Sequence, residues 1–176
     1  GNIFCRVLQL APYSSERSSM QIYVDADGFP TAAKELLIRA AIRLQVPLVF
    51  VANKRVRYET AAMISTIVVP EGPDLADDRI TELARPGDLV ITADIPLADR
   101  VVAKGAFALN PRGKLYTEGN IKDSLAMRDL MNGLRDGGLM TGGPATFSKK
   151  DCQAFVNQLD SFLIKRLKNS NSQKER

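Results

Sequence analysis

Several aspartates stand where apolar stretches of the sequence end. One stretch runs directly into Asp25 and Asp27, and another is followed after one residue by Asp94. A third acidic group, Asp77 and Asp78, opens a segment with helical spacing. Because carboxylates held close together repel one another, such a cluster needs a positive partner. Hard divalent cations with oxygen ligands suit it best, so we expect Mg²⁺ or Mn²⁺.

Carboxylates around divalent ions support phosphoryl transfer, since the ions activate water and stabilise the charge that develops on phosphate. We predict that Asp25, Asp27, Asp77 and Asp94 are catalytic residues that carry the metal, with Asp25 and Asp94 as direct ligands. Asp27 and Asp77 would hold a second metal or position the attacking water, with Asp78 as a weaker candidate. The chain contains no histidine, which excludes Ser-His-Asp catalysis and argues against a zinc site.

A purely structural alternative exists for each acid. Aspartate is common at strand-to-helix turns because its carboxylate caps the next helix. Asp94 precedes Pro96 and Asp74 precedes Leu75, so either could act only as a cap. The pair Asp25 and Asp27 favours function, because an extended chain would place both charges on one face.

Polar and basic groups that follow strands are candidates for substrate binding. Asn53, Asn110 and Arg112 each follow a predicted strand, and Thr92 ends another. An arginine can hold a phosphate with two donors, and the Thr92 hydroxyl could orient a ligand or touch a phosphate oxygen. The basic run 54–57 follows a predicted strand and could face the substrate at the same edge. The alternative is that it forms a solvated loop.

Strand-like and helix-like segments alternate along the chain. Helices between short apolar strands imply right-handed crossovers and a three-layer, mainly parallel α/β sheet, which binds ligands beyond the carboxyl ends of its strands. We expect the apolar stripe of Leu125, Leu130, Met131 and Leu134 to be core. The predicted strands are 21–24, 47–51, 64–69, 89–92 and 106–109, and the predicted helices are 31–45, 75–84, 96–104, 121–135 and 149–167.

Composition indicates one globular domain, since 45% of the 176 residues are hydrophobic and 25% are charged. We assign it to residues 20–168, between a leader (1–19), interpreted as an added or upstream-translated segment before a natural start at Met20, and a disordered basic tail (169–176). The net charge of +4 comes from the ends: +1 for residues 1–19, −1 for 20–164 and +4 for 165–176. Cys5 and Cys152 give no disulfide pattern, which suits the cytoplasm, and no apolar run is long enough to cross a membrane.

The segments that carry these acids resemble the YaiI/YqxD-like bacterial family, which is grouped by fold with the PIN-like nucleases. The resemblance implies a PIN-like Rossmannoid fold and Mg²⁺- or Mn²⁺-dependent cleavage of RNA by Asp25, by Asp77 or Asp78, and by Asp94, with Asp99 as a further acid. Phe29 stands where the family often has cysteine. The matching segments are 23–30, 76–80, 86–98, 108–113, 127–129 and 141–144.

Two hypotheses of function follow from the residues and the resemblance together. The first is a metal-dependent nuclease or phosphodiesterase that acts on RNA or a nucleotide. The second is a catalytically silent module that binds nucleic acid or a nucleotide in the same pocket. A plain interaction domain whose acids only cap helices is a third alternative.

Overall fold

The computed structural model describes residues 20–54, 62–138 and 146–174. The leader predicted for residues 1–19 and most of the basic run 54–57 therefore lie outside the described residues. The strands are β1 (Ile22–Asp25), β2 (Leu48–Ala52), β3 (Ile64–Val68), β4 (Leu89–Ile91), β5 (Phe107–Leu109) and β6 (Leu115–Tyr116). The helices are α1 (Thr31–Leu44), α2 (Leu75–Leu83), α3 (Ile95–Ala103), α4 (Ile121–Asp136) and α5 (Lys149–Lys174).

The strands form one sheet in the order β3-β2-β1-β4-β5-β6. The first five are parallel and β6 is antiparallel to β5. Starting at β1, the chain builds outward through β2 and β3, then returns to the other side of β1 for β4 and β5. The direction of strand addition therefore reverses between β1 and β4, which is where ligands bind in open α/β sheets.

Two hydrophobic clusters cover the two faces of the sheet. Alternation along β1 divides its residues, so that Ile22 and Val24 join one cluster and Tyr23 joins the other. Buried residues of α1 and α5 pack in the first cluster, and those of α2, α3 and α4 pack in the second. The predicted three-layer α/β architecture is confirmed.

Some element boundaries differ from the prediction. The final helix continues to Lys174, well past the predicted end at Leu167, and takes in most of the stretch expected to be a disordered tail. No glycine or proline follows Leu167 to end it. The strand β6 was not predicted, because two residues are too short to show alternation.

The apolar stripe of α4 is not core as predicted. Leu130 is 57% exposed, and Leu125, Met131 and Leu134 are half-buried and belong to neither hydrophobic cluster. Asp74 stands at the predicted cap position before α2, but its backbone is left-handed (φ 62°) and its side chain makes no capping hydrogen bond. Within the described ranges, no helix is long and apolar enough to span a membrane.

Candidate functional site

The pairing of β1 with β4 brings Asp25 beside Thr92. Val24 lies opposite Ile91, so the residues that follow them, Asp25 and Thr92, come to the same edge of the sheet. The Thr92 hydroxyl donates a hydrogen bond of 3.1 Å to the Asp25 carboxylate. Thr92 is only 1% exposed, so this bond forms away from bulk water.

Thr92 also fixes the turn that carries Asp94. Its hydroxyl oxygen accepts a 3.0 Å hydrogen bond from the Asp94 backbone N–H. The Asp94 side chain in turn accepts a 3.1 Å bond from the Leu97 N–H and caps α3. The capping alternative therefore describes one oxygen of Asp94 correctly, yet the same turn holds this carboxyl group next to two other acids.

Asp77 reaches the site from the first turn of α2. Burial is the main cause that raises its pKa from the ordinary value of 3.8 to about 6. The charges of Asp94, Asp25 and Asp74 raise the pKa further, as does a side-chain hydrogen bond with Asp94. The carboxyl groups of Asp77 and Asp94 are thus neighbours in the site.

Asp25 experiences the same kind of environment. Burial raises its pKa to about 6, and the charges of Asp94 and Asp27 add to the rise. The hydrogen bond from Thr92 acts in the opposite direction and only partly offsets it. In the described part of the chain no lysine or arginine forms a salt bridge with Asp25, Asp27, Asp77 or Asp94. Within that part, the negative charge of the cluster is not compensated by an ion pair.

Asp27 occupies a different position from the one predicted. The chain turns after β1, so Asp27 does not continue the extended strand that the shared-face argument assumed. Its exposed carboxylate accepts the Asn53 backbone N–H, at 3.2 and 3.3 Å from its two oxygens. Asp27 thus joins the end of β1 to the end of β2, and stays near enough to Asp25 to raise its pKa.

The weaker candidates for metal binding both have cationic partners. Asp78 pairs with Arg100 at 3.0 Å, which ties α2 to α3. Asp99 pairs with Lys122 at 2.8 Å, which ties α3 to α4. The structure therefore engages these two carboxylates in links between helices, outside the group formed by Asp25, Asp77 and Asp94.

The turn after β5 holds Asn110 and Arg112 in internal contacts. The Asn110 side chain accepts the Arg112 backbone N–H at 2.8 Å and donates to the Tyr116 hydroxyl at 3.3 Å. The Arg112 guanidinium pairs with Asp151 at 2.8 Å and lies over the Phe147 ring. Substrate contacts by Asn53, Thr92, Asn110 and Arg112 stay predictions.

Asp151 was missed in the sequence, although a signal for it exists. Ser148 and Asp151 have the spacing of a capping box, and each side chain accepts the backbone N–H of the other. Because Asp151 also binds Arg112, the start of α5 is fastened to the turn that follows β5. The backbone bond from Ser148 is the main cause that lowers the pKa of Asp151.

The acidic side chains that the structure describes are ligands of the chemical type that a hard cation prefers, but they are not arranged around an ion position. Asp25, Asp77 and Asp94 offer only oxygen, and their mutual repulsion is the kind that a divalent ion relieves. Yet across residues 20–54, 62–138 and 146–174, no three Asp, Glu or Cys side chains are positioned so that they could hold an ion. A metal ion at this edge would therefore take one or two of these carboxylates, with water as the remaining ligands.

Comparisons with known proteins identify relatives of this chain. Residues 23–165 match the family described as "Uncharacterized BCR, YaiI/YqxD family". A UPF0178 protein of Maridesulfovibrio salexigens is 57% identical over 84% of this chain and 98% of its own length. Another, from Trichlorobacter lovleyi, is 50% identical over 88% of this chain and 100% of its own. No solved structure matches the chain. The chain therefore belongs to the bacterial YaiI/YqxD family, also named UPF0178.

Proposed function

We propose that this protein is a metal-dependent hydrolase that cleaves phosphodiester bonds in RNA or a nucleotide. The observation that carries the proposal is the convergence of Asp25, Asp77 and Asp94 at the reversal point of the sheet. Two of these acids have a pKa raised to about 6, and within the described ranges none of the three has a salt-bridge partner. Perturbed acids at a ligand-binding edge are typical of functional sites.

The acidic side chains would have different roles, which depend on their positions in the site. Asp25 and Asp94 would hold Mg²⁺ or Mn²⁺, and Asp77 or Asp27 would hold a second ion or orient water. Once bound, such an ion supplies an activated water and neutralises charge on the phosphate. Thr92 keeps the Asp25 carboxylate and the Asp94 turn in place through its two hydrogen bonds.

The residue types available favour phosphate chemistry. Metal-assisted phosphoryl transfer relies on positioning and electrostatics, and needs neither histidine nor a thiol nucleophile. The chain has no histidine, and the acids and Thr92 supply carboxylates and a hydroxyl to the site. The resemblance to PIN-like nucleases points the same way, as an analogy of fold.

A binding module without catalysis is the second candidate. One specific observation favours it: no three described acidic or thiol side chains are already arranged around an ion position. In that case the same edge would hold nucleic acid or a nucleotide without cutting it.

Cleavage of a mixed RNA pool in the presence of Mn²⁺ tests the proposal. We expect wild-type protein to cut, and Asp25→Asn and Asp94→Asn to lose at least about 100-fold in rate, since removing a metal ligand costs more than removing an outer partner. Asp129→Asn is the control, because Asp129 is an exposed carboxylate on α4 that pairs with Arg128. Equal rates in all four proteins would contradict the proposal, and binding without cutting would support the second candidate.

A further inference from the structure

Three lysines lie at the starts of two helices that contact each other, and we name them the lysine corner: Lys34, Lys149 and Lys150. Lys34 lies in the first turn of α1, which starts just beyond the carboxyl end of β1. Lys149 and Lys150 are the first two residues of α5, and both are exposed. All three therefore belong to helix starts.

Contacts join the start of α1 to the second turn of α5, and the first turn of α5 to the edge that carries the acids. Phe29, just before α1, meets Phe155 of α5 edge to face, with ring centroids 6.0 Å apart. The start of α5 is also joined to the carboxyl end of β5 through the ion pair of Arg112 with Asp151. The lysine corner thus borders the same sheet edge as Asp25 and Asp94.

The charges of the lysine corner are not neutralised by ion pairs. Elsewhere helix cations have carboxylate partners, as in Arg43 with Asp160, Arg100 with Asp78 and Lys122 with Asp99. Among described residues, no carboxylate forms a salt bridge with a lysine of the corner. The charge of Lys150 contributes to the lowered pKa of Asp151, but the Asp151 carboxylate is already bonded to Arg112 and Ser148.

These positions also work against helix stability. The N-terminus of a helix carries partial positive charge, so a cation in its first turn is unfavourable by a few tenths of a kcal/mol. Three such cations stand at two neighbouring helix starts. The first turn of α1 has no acidic residue, and that of α5 has Asp151, whose carboxylate is bonded to Arg112 and Ser148. An external polyanion would relieve both the repulsion among the lysines and their conflict with the helices.

We propose that the lysine corner binds the phosphate backbone of an extended RNA strand, so that the substrate is a polynucleotide rather than a single nucleotide. This inference rests on the proposed function, because the strand would continue from the lysines to the acids where cleavage takes place. Lysine suits the task since it contacts phosphate as a point charge and reads no base sequence.

The test is equilibrium binding of a labelled twelve-nucleotide RNA, measured by fluorescence anisotropy in EDTA at several salt concentrations. Lys34→Gln and the double variant Lys149→Gln/Lys150→Gln probe the lysine corner. Lys165→Gln/Lys168→Gln is the matched control, because it removes the same charge from exposed sites on the same helix, about 25 Å away at 1.5 Å per residue.

We expect the corner variants to flatten the dependence of log affinity on log salt by about 0.7 for each lysine removed, and the control to leave it unchanged. At low salt the double corner variant should bind several-fold more weakly than the control. Equal losses in corner and control variants, or no loss in either, would overturn the inference. Binding of a mononucleotide as tight as that of the RNA would overturn it as well.

Failure of this inference and failure of the proposed function give different results. If Asp25→Asn cuts RNA like wild type while the corner variants lose binding, the acids are not catalytic and the lysine corner stands. If the corner variants bind RNA normally while wild type cuts and Asp25→Asn does not, the function stands and the lysine corner is wrong.

Discussion

Asp25 shows at the scale of one residue why this site is under electrostatic stress. Its carboxylate is partly removed from water at the end of β1, where it accepts a hydrogen bond from Thr92 and lies near two other acids. Burial and like charge both penalise the ionised form, which is why the pKa rises to about 6. Without a cation, the folded protein is therefore destabilised by this charge.

The pH dependence of stability follows from the direction of that shift. Since the folded pKa of Asp25 and Asp77 (about 6) exceeds the ordinary 3.8, the folded state binds more protons between these values. Their contribution to the free energy of unfolding thus falls as pH rises through this window, and the loss is complete above about pH 7.

We expect Asp25→Asn to be more stable than wild type by about 1–2 kcal/mol near pH 8 in EDTA, because the variant removes the penalised charge. Near pH 4 the difference should shrink. Urea denaturation at both pH values measures it, with Asp129→Asn as a control that should show no such dependence. A variant less stable than wild type near pH 8 would contradict the assigned repulsion.

Two substitutions distinguish the contribution of the Thr92 hydroxyl from the contribution of the side chain's shape. Thr92→Val leaves the Asp94 N–H and the Asp25 carboxylate without their shared partner, and should cost about 1–3 kcal/mol in the free energy of unfolding. Thr92→Ser keeps the hydroxyl and should lose only about 1 kcal/mol for the missing methyl group. Chemical denaturation distinguishes them, and a valine variant as stable as the serine variant would refute the role of the hydrogen bonds.

At the scale of elements, the turn between β5 and β6 is pressed against α5. Gly113 has φ +98°, and a Cβ built there would lie 2.7 Å from the Ala154 carbonyl carbon. Together with the pair of Arg112 and Asp151, this close approach sets where α5 begins relative to the carboxyl edge. The position of the lysine corner depends on it.

Gly113→Ala should therefore destabilise the protein by about 3 kcal/mol or more, since it combines a strained φ with a clash against backbone. Gly138→Ala is the control, because Gly138 also has positive φ (74°) but no atom of the described residues lies within 4 Å of a Cβ built there. It should cost only about 1–2 kcal/mol, which is the strain of the backbone conformation alone. Thermal denaturation compares the two variants, and equal losses would show that the contact with Ala154 carries no energy.

Periodicity in the sequence predicted the long elements well, because a buried face leaves a repeated apolar pattern. It failed where structure depends on contacts across the fold. Leu130 continues a helical stripe, yet α4 turns that side outward, and the stripe alone does not reveal its neighbours. The two residues of β6 carry no pattern of their own, and pair only because the turn after β5 folds back on the sheet.

At the scale of the whole molecule, part of the site could be predicted and part could not. Asp25 and Asp94 follow strands, and parallel strands send their carboxyl ends to one edge, so their proximity required only that β1 and β4 be neighbours. Strand order itself leaves no local signal. The turn that redirects Asp27 toward Asn53, and the ion pairs that engage Asp78 and Asp99, depend on three-dimensional packing.

Negative and positive charges lie next to each other at the carboxyl edge of the sheet. An acidic group that forms no salt bridge with any described lysine or arginine lies at the reversal point of the sheet, and the lysine corner borders it on the side of α1 and α5. The acids would attract a metal ion and repel phosphate, whereas the lysines would attract the phosphates of an RNA strand and repel a metal ion. We therefore expect metal binding to be the primary event from which catalysis follows.

The thermal unfolding midpoint during titration with Mn²⁺ tests this central claim most directly. An ion that binds only the folded state stabilises it by about 2.7 kcal/mol at 100 times Kd, which raises the midpoint by several degrees. We predict this rise for wild type and for Asp129→Asn, and its loss in Asp25→Asn and Asp94→Asn. No rise in wild type, or an equal rise in Asp25→Asn, would contradict the claim.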